Sequence, residues 1–138
     1  MPKLAPYALT LLRVIVGITF IVHGYAKTGF VGGFADGLAA MNLPLPNIAA
    51  IVIIAVEIIG GGALILGIGT RWLGLVLAAE MAFIAMFVKM PTVGFMAGRG
   101  VGAELDLNLF AALLVIATVG SGALSVEGTL LGRKKARD

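Results

Sequence analysis

Three ionisable side chains interrupt long apolar stretches of this 138-residue chain: Arg13, Glu57 and Glu80. A charge inside a membrane-spanning helix is costly unless it is paired, neutralised or turned toward the protein interior. One cation between two carboxylates leaves an excess negative charge, which favours a proton held on one glutamate. The three residues therefore predict a buried polar site suited to proton-coupled chemistry, and the alternative is an ion pair that only fixes helix packing.

A second polar group lies nearer one helix end. His23 and Lys27 are four residues apart and share one helix face, and Glu104 and Arg99 are expected at the same height. Histidine is the side chain that ordinarily changes charge near neutral pH, so His23 is a candidate proton donor or acceptor at the mouth of a site. The alternative is an ordinary histidine at the membrane interface.

Aromatic residues accompany these charges. Phe83 and Phe87 share the helix face of Glu80, and together with Phe20 they could flank a flat ligand such as a quinone ring. The alternative is that the three rings make core or lipid contacts. The chain has no cysteine and one histidine, so we predict neither a metal site nor a dithiol that carries electrons.

The composition indicates the environment of these residues. Hydrophobic residues make up 60% of the chain and charged residues 12%, and the mean hydropathy is +1.10. Soluble domains carry about 25% charged residues, so the chain is predicted to be an integral membrane protein of one domain in the lipid bilayer. The net charge of +3 comes mainly from a basic cluster at residues 133–137, which argues against a nucleic-acid partner.

The apolar runs predict an all-α fold, an integral membrane four-helix bundle with helices at about 6–27, 47–68, 72–90 and 104–124. A short interfacial helix is expected at 34–41, a glycine-rich loop at 92–103 and a basic tail at 128–138. Six Lys and Arg residues flank the helices on one side and three on the other, which favours both termini in the cytoplasm. Because the first three spans should be neighbours, we expect Arg13 to face Glu57, Glu80 or both.

Several short motifs occur in a fixed order over about residues 11–128, and this pattern resembles the DoxX family of small four-helix membrane proteins. Ser121 stands where the family usually has proline, and Glu127 where it usually has aspartate. The matching residues are Leu12-Arg13, Gly17, Phe20, His23-Gly24, Lys27, Glu57, Gly60-Gly61, Gly67, Thr70-Arg71, Gly102, Glu104-Leu105 and the closing Gly120-Ser-Gly-Ala-Leu-Ser-Val-Glu.

The resemblance implies a single DoxX-like transmembrane domain over 1–138 that crosses the bacterial inner membrane several times. Family members are linked to thiosulfate:quinone oxidoreductase as membrane subunits, and to a mycobacterial complex that handles thiol and superoxide stress. The resemblance therefore implies that this chain is a quinone-linked oxidoreductase subunit. It also implies a soluble or membrane oxidoreductase partner and a non-covalently bound quinone. From the matched motifs and the cost of burying charge, we expect the residues of a buried polar catalytic site to be Arg13, His23, Lys27, Glu57 and Glu104, with Glu80 as a further candidate.

Two other functions stay open. A non-catalytic membrane partner that assembles another complex would use the buried charges for packing alone. A small proton-coupled transporter would also carry a buried glutamate, although an arginine paired with it would obstruct a cation site. Small residues on the helix faces permit a homo-oligomer without requiring one.

Overall fold

The structure, a computed structural model, describes residues 3–97 and 101–129, and within those residues all regular structure is helical. The π-helical segment Ile84–Lys89 interrupts the fourth helix after Phe83. The helices are α1 (Ala5–Thr28), α2 (Val31–Ala40), α3 (Pro46–Leu66), α4 (Thr70–Thr92) and α5 (Ala103–Val119).

The long helices begin and end within two residues of the predicted bounds, except that α5 ends at Val119 instead of near residue 124. Gly120 follows with φ of +103°, a conformation that favours glycine and stops the helix. The short helix expected at 34–41 is α2, which begins three residues earlier than predicted, at Val31. Arg99 and the part of the predicted basic tail beyond residue 129 lie outside the described residues.

Within the described part of the chain, three helices, α1, α3 and α4, are long and apolar enough to cross a membrane. Their outward faces expose large apolar side chains, such as Leu11 and Ile15 on α1 and Ile59 on α3. Apolar exposure on this scale is unfavourable in water and favourable against lipid. The chain is therefore a membrane protein.

The helices α1 and α3 approach each other closely at a pair of glycines. A Cβ atom built on Gly17 would lie 2.6 Å from the carbonyl oxygen of Gly61, and one built on Gly61 would lie 2.6 Å from that of Gly17. Real Cβ atoms do not approach backbone oxygens so closely, so both positions require glycine at this separation. Close backbone approach between small residues is a main source of helix association in lipid.

The remaining helices complete the core around this pair. Gly74 of α4 packs against Ala117 of α5, where an added Cβ would lie 3.1 Å from the Ala117 Cβ. The amphipathic α2 lies against the start of α3 through Ala35, Leu38 and Ala50. Ten buried side chains from all four long helices form the main core: Leu9, Val16, Phe20, Leu64, Leu77, Ala78, Met81, Leu109, Leu113 and Ile116.

The prediction that Arg13 faces Glu57 or Glu80 is wrong. The Arg13 side chain is almost fully buried, and it donates hydrogen bonds to the carbonyl oxygens of Ser121 at 2.5 Å, Leu124 at 2.6 Å and Ile65 at 3.3 Å. The residues of α1 that lie against Glu57 are Gly24 and Lys27. Gly24 is eleven residues beyond Arg13, roughly 16 Å along the helix at 1.5 Å per residue.

The turn that follows α5 folds back to receive this arginine. The backbone N–H of Ala123 donates to the Pro6 carbonyl at 3.1 Å, so the described ends of the chain lie on one side of the molecule. Gly67 ends α3 with φ of +72°, and a Cβ there would collide with the Arg13 guanidinium. The two terminal nitrogens of the guanidinium thus donate to backbone carbonyls from two separate segments, while Nε has no partner among the described residues.

Adjacent glycines on α3 give a matched test of the contact between α1 and α3. Gly61→Ala places a methyl group against the Gly17 carbonyl and should lower the free energy of unfolding by about 1–3 kcal/mol. Gly62→Ala adds the same methyl group to open space and should be neutral or stabilising by up to about 1 kcal/mol. Thermal unfolding in nanodiscs measures both, and equal effects at the two positions would contradict the close contact.

Candidate functional site

A cavity of about 630 Å³ lies at the α2 side of the molecule. The helix α2 covers it, and side chains of the other four helices form its walls. A larger cavity of about 730 Å³ lies at the opposite end beside Arg71 and Glu127, but the two ion pairs described below do not border it. The first cavity is lined by His23, Lys27, Phe30, Gly33, Phe34, Gly37, Leu38, Met41, Leu43, Ile53, Glu57, Glu80, Met81, Phe83, Ile84, Val88, Lys89 and Asp106.

An ion pair with a buried carboxylate and a partly buried lysine borders this cavity. The Lys27 Nζ lies 2.5 Å from both carboxylate oxygens of Glu57, and Glu57 is 1% exposed. The pair exists because α1 and α3 pack closely: a Cβ on Gly24 would lie 3.0 Å from the Glu57 Cβ. Lys27 is one helical turn beyond Gly24, so its side chain reaches back to the carboxylate.

Glu80 of α4 adds a second carboxyl to the pair. It lies beside the Glu57 carboxyl, and its Oε1 is buried with no hydrogen-bond partner among residues 3–97 and 101–129. An unpartnered buried polar atom is unfavourable in itself, and such atoms are uncommon in folded proteins. Lys27, Glu57 and Glu80 therefore form a charged cluster on the cavity wall, with one ammonium and two neighbouring carboxyls.

The aromatic residues near the cavity differ from those expected. Phe83 lines the cavity, but Phe20 lies in the helical core and Phe87 faces outward, with its ring centroid 5.3 Å from that of Phe83. These positions correct the expectation that all three rings flank one ligand. Phe34 of α2 lies on the cavity instead, with its ring centroid 5.5 Å from the Lys27 Nζ, within range for a cation–π interaction.

A second ion pair on the cavity wall was missed by the sequence reasoning. The Lys89 Nζ lies 2.7 Å from Asp106 Oδ2, and Asp106 is almost fully buried. In the sequence, Lys89 precedes the proline that ends a predicted helix, and Asp106 falls in the first turn of the next predicted helix, where an acidic side chain suits the helix dipole. Neither residue is therefore singled out as part of a site. Lys89 is the last residue of the π-helical segment of α4, and such segments are often found at functional sites.

His23 and Glu104, two more of the predicted site residues, lie in different places relative to the cavity. His23 lines the cavity and is exposed on its other side, so it lies at the rim. Glu104 does not border the cavity, because its carboxylate turns toward the loop before α5, where Oε1 accepts from the backbone N–H of Gly102 at 3.3 Å. Arg13 is also remote from the cavity, as described above.

The geometry defines a class of site. Partly buried lysines and buried carboxyl oxygens face a partly open space whose other walls are mostly apolar, which is the character of a site for a small, largely apolar ligand with a few polar groups. The space lies among helices that contact lipid. The molecule is thus a small helical membrane protein with a charged cavity beneath a short covering helix.

Comparison with known proteins agrees with this class. The model of the DoxX family matches residues 8–90, and the chain belongs to the DoxX family. A Bacillus subtilis protein named "Putative oxidoreductase CatD" is 34% identical over 127 residues, which are 91% of this chain and 88% of that protein. "Inner membrane protein YphA" of Escherichia coli is 27% identical over 131 residues, 88% of this chain and 89% of that protein. No solved structure matches the chain.

Removing one member of the Lys27–Glu57 ion pair should lower the free energy of unfolding more than removing both. Lys27→Met leaves Glu57 without its cation and should lower the free energy of unfolding by about 3–5 kcal/mol, whereas Lys27→Met/Glu57→Gln should recover most of that loss. The exposed Lys3→Met serves as a control and should stay within about 0.5 kcal/mol of wild type. Thermal unfolding in nanodiscs measures all three, and a double variant less stable than Lys27→Met would contradict the pairing.

Proposed function

We propose that this DoxX protein is a membrane subunit of an oxidoreductase system and that it binds a quinone in the cavity beneath α2. The observation that carries the proposal is the cluster of Lys27, Glu57 and Glu80 on the wall of a mostly apolar cavity among membrane helices. A quinone ring is flat and apolar apart from its oxygens, so such a cavity suits it. The name of the Bacillus subtilis relative is in line with redox chemistry.

The residues present fit such a ligand. Lys27 is an N–H donor beside one end of the cavity, and Glu80 Oε1 has no partner among the described residues. Phe34 and Phe83 supply ring surfaces on α2 and α4. A bound quinone would supply two-electron, two-proton redox chemistry. Two carboxyls around one ammonium would hold a proton near its oxygen and release it when the charge balance changes.

We further propose that all four long helices cross the bacterial inner membrane as a four-helix bundle with both termini in the cytoplasm. Lys27 and Lys89 on the α2 side are both engaged in ion pairs inside the protein. Lys3 and Arg71 are exposed on the side where the described chain begins and ends, and residues 133–137 of the sequence include four more basic residues. Basic residues that face water concentrate on the cytoplasmic side of membrane proteins.

One observation favours a second function, a non-catalytic assembly partner. Arg13 donates hydrogen bonds to the backbone carbonyls of Ser121, Leu124 and Ile65. The family motif that contains Arg13 therefore stabilises the fold directly. If the cluster of Lys27, Glu57 and Glu80 served packing alone, its variants would change abundance or association and leave ligand binding unchanged.

A binding titration separates these two functions. Wild-type protein in nanodiscs should bind a 1,4-benzoquinone with a ten-carbon tail saturably by calorimetry, and Glu57→Gln should weaken binding roughly tenfold. Arg13→Gln, remote from the cavity, should lower thermal stability and leave the Kd within about twofold when measured below its unfolding temperature. Failure of the folded wild type to bind the quinone would overturn the redox proposal.

A further inference from the structure

The cavity has a second charged pole besides the cluster of Lys27, Glu57 and Glu80. Lys89 and Asp106 line the same space and belong to α4 and α5. Glu80 and Lys89 are nine residues apart on α4, roughly 13 Å along the axis of an ideal helix. The two poles therefore lie at different heights of one cavity.

The Lys89 ammonium has hydrogen-bonding capacity to spare. Among residues 3–97 and 101–129, its hydrogen bond is a long one of 3.5 Å to the carbonyl oxygen of Gly102. Its contact with Asp106 is 2.7 Å, but that carboxylate oxygen has no partner in hydrogen-bonding geometry within the described residues. An ammonium group has three N–H donors, so Lys89 can donate to a ligand without leaving Asp106.

Asp106 fixes the position of this donor. It is 5% exposed and lies in the first turn of α5, and a carboxylate buried to that degree requires a nearby cation. Lys89 reaches it from the end of the π-helical segment of α4. The lysine is consequently held on the cavity wall instead of extending toward the membrane surface, the usual position of a lysine near a helix end.

We propose that Lys89, positioned by Asp106, is a second anchor and that the cavity selects ligands with two opposed polar oxygens. This inference rests on the proposed function and deepens it: one oxygen of the quinone lies at the cluster of Lys27, Glu57 and Glu80, and the other accepts a hydrogen bond from Lys89. Lys89 is then a binding residue, and Asp106 is a positioning residue. A ligand of similar shape with a single oxygen would use one pole only.

The test compares two ligands that differ at one end. The first is the 1,4-benzoquinone with a ten-carbon tail, and the second is a phenol with the same tail and one oxygen. Lys89→Met should weaken quinone binding roughly tenfold, the value of one hydrogen bond to a charged group, and leave phenol binding within about twofold. Lys89→Met/Asp106→Asn should show the same selectivity without an unpaired buried carboxylate, which keeps the test valid if the single variant is unstable.

The outcomes distinguish this inference from the function on which it rests. Quinone binding that Glu57→Gln weakens and both Lys89 variants leave unchanged would overturn the second anchor and retain the proposed function. Equal weakening of quinone and phenol by the Lys89 variants would also overturn it, because a general distortion of the cavity has no selectivity. Absence of quinone binding in the folded wild type would overturn both proposals.

Discussion

The backbone contact between α1 and α3 at Gly17 and Gly61 is the constraint on which the site depends. It brings the two helices close enough for Gly24 to meet the Glu57 side chain, and this places Lys27 one turn further along at the carboxylate. A larger residue at either glycine would separate the helices by the width of a methyl group. The ion pair would then lose its 2.5 Å contacts, and the wall of the cavity would open.

The buried charges of this protein divide into two kinds. Arg13 is neutralised by no carboxylate among the described residues, and it holds the turn after α5 against α1 and α3 by donating to backbone carbonyls. The lysines of the α2 side are each paired with an acid on a neighbouring helix, and both pairs face the cavity. The first kind closes the fold, and the second provides polar groups in an otherwise apolar space.

Much of the fold could be predicted from the sequence, because lipid requires long apolar runs and charges interrupt them rarely. The cost of burying charge singled out Glu57 and Glu80 together with Arg13, whereas Lys27 was expected in a separate polar group with His23 nearer one helix end. The partners of Arg13 could not be predicted, because every residue has a backbone carbonyl and residue type does not show which carbonyls accept. The turn at 120–125 is also far from α1 along the chain. Lys89 and Asp106 were missed because each had a sufficient local explanation, while the π-helical turns before Lys89 have no clear sequence signal.

The position of a ligand relative to α2 is the most direct test of the cavity as a quinone site. Photolabelling in nanodiscs with a benzoquinone that carries an aryl azide, followed by mass spectrometry, reports that position. We expect label on residues 34–41 of the covering segment and 83–88 of α4, which excess unlabelled quinone and Glu57→Gln both reduce. Label confined to lipid-facing positions such as Ile59 and Leu66, and unaffected by competition, would contradict the site.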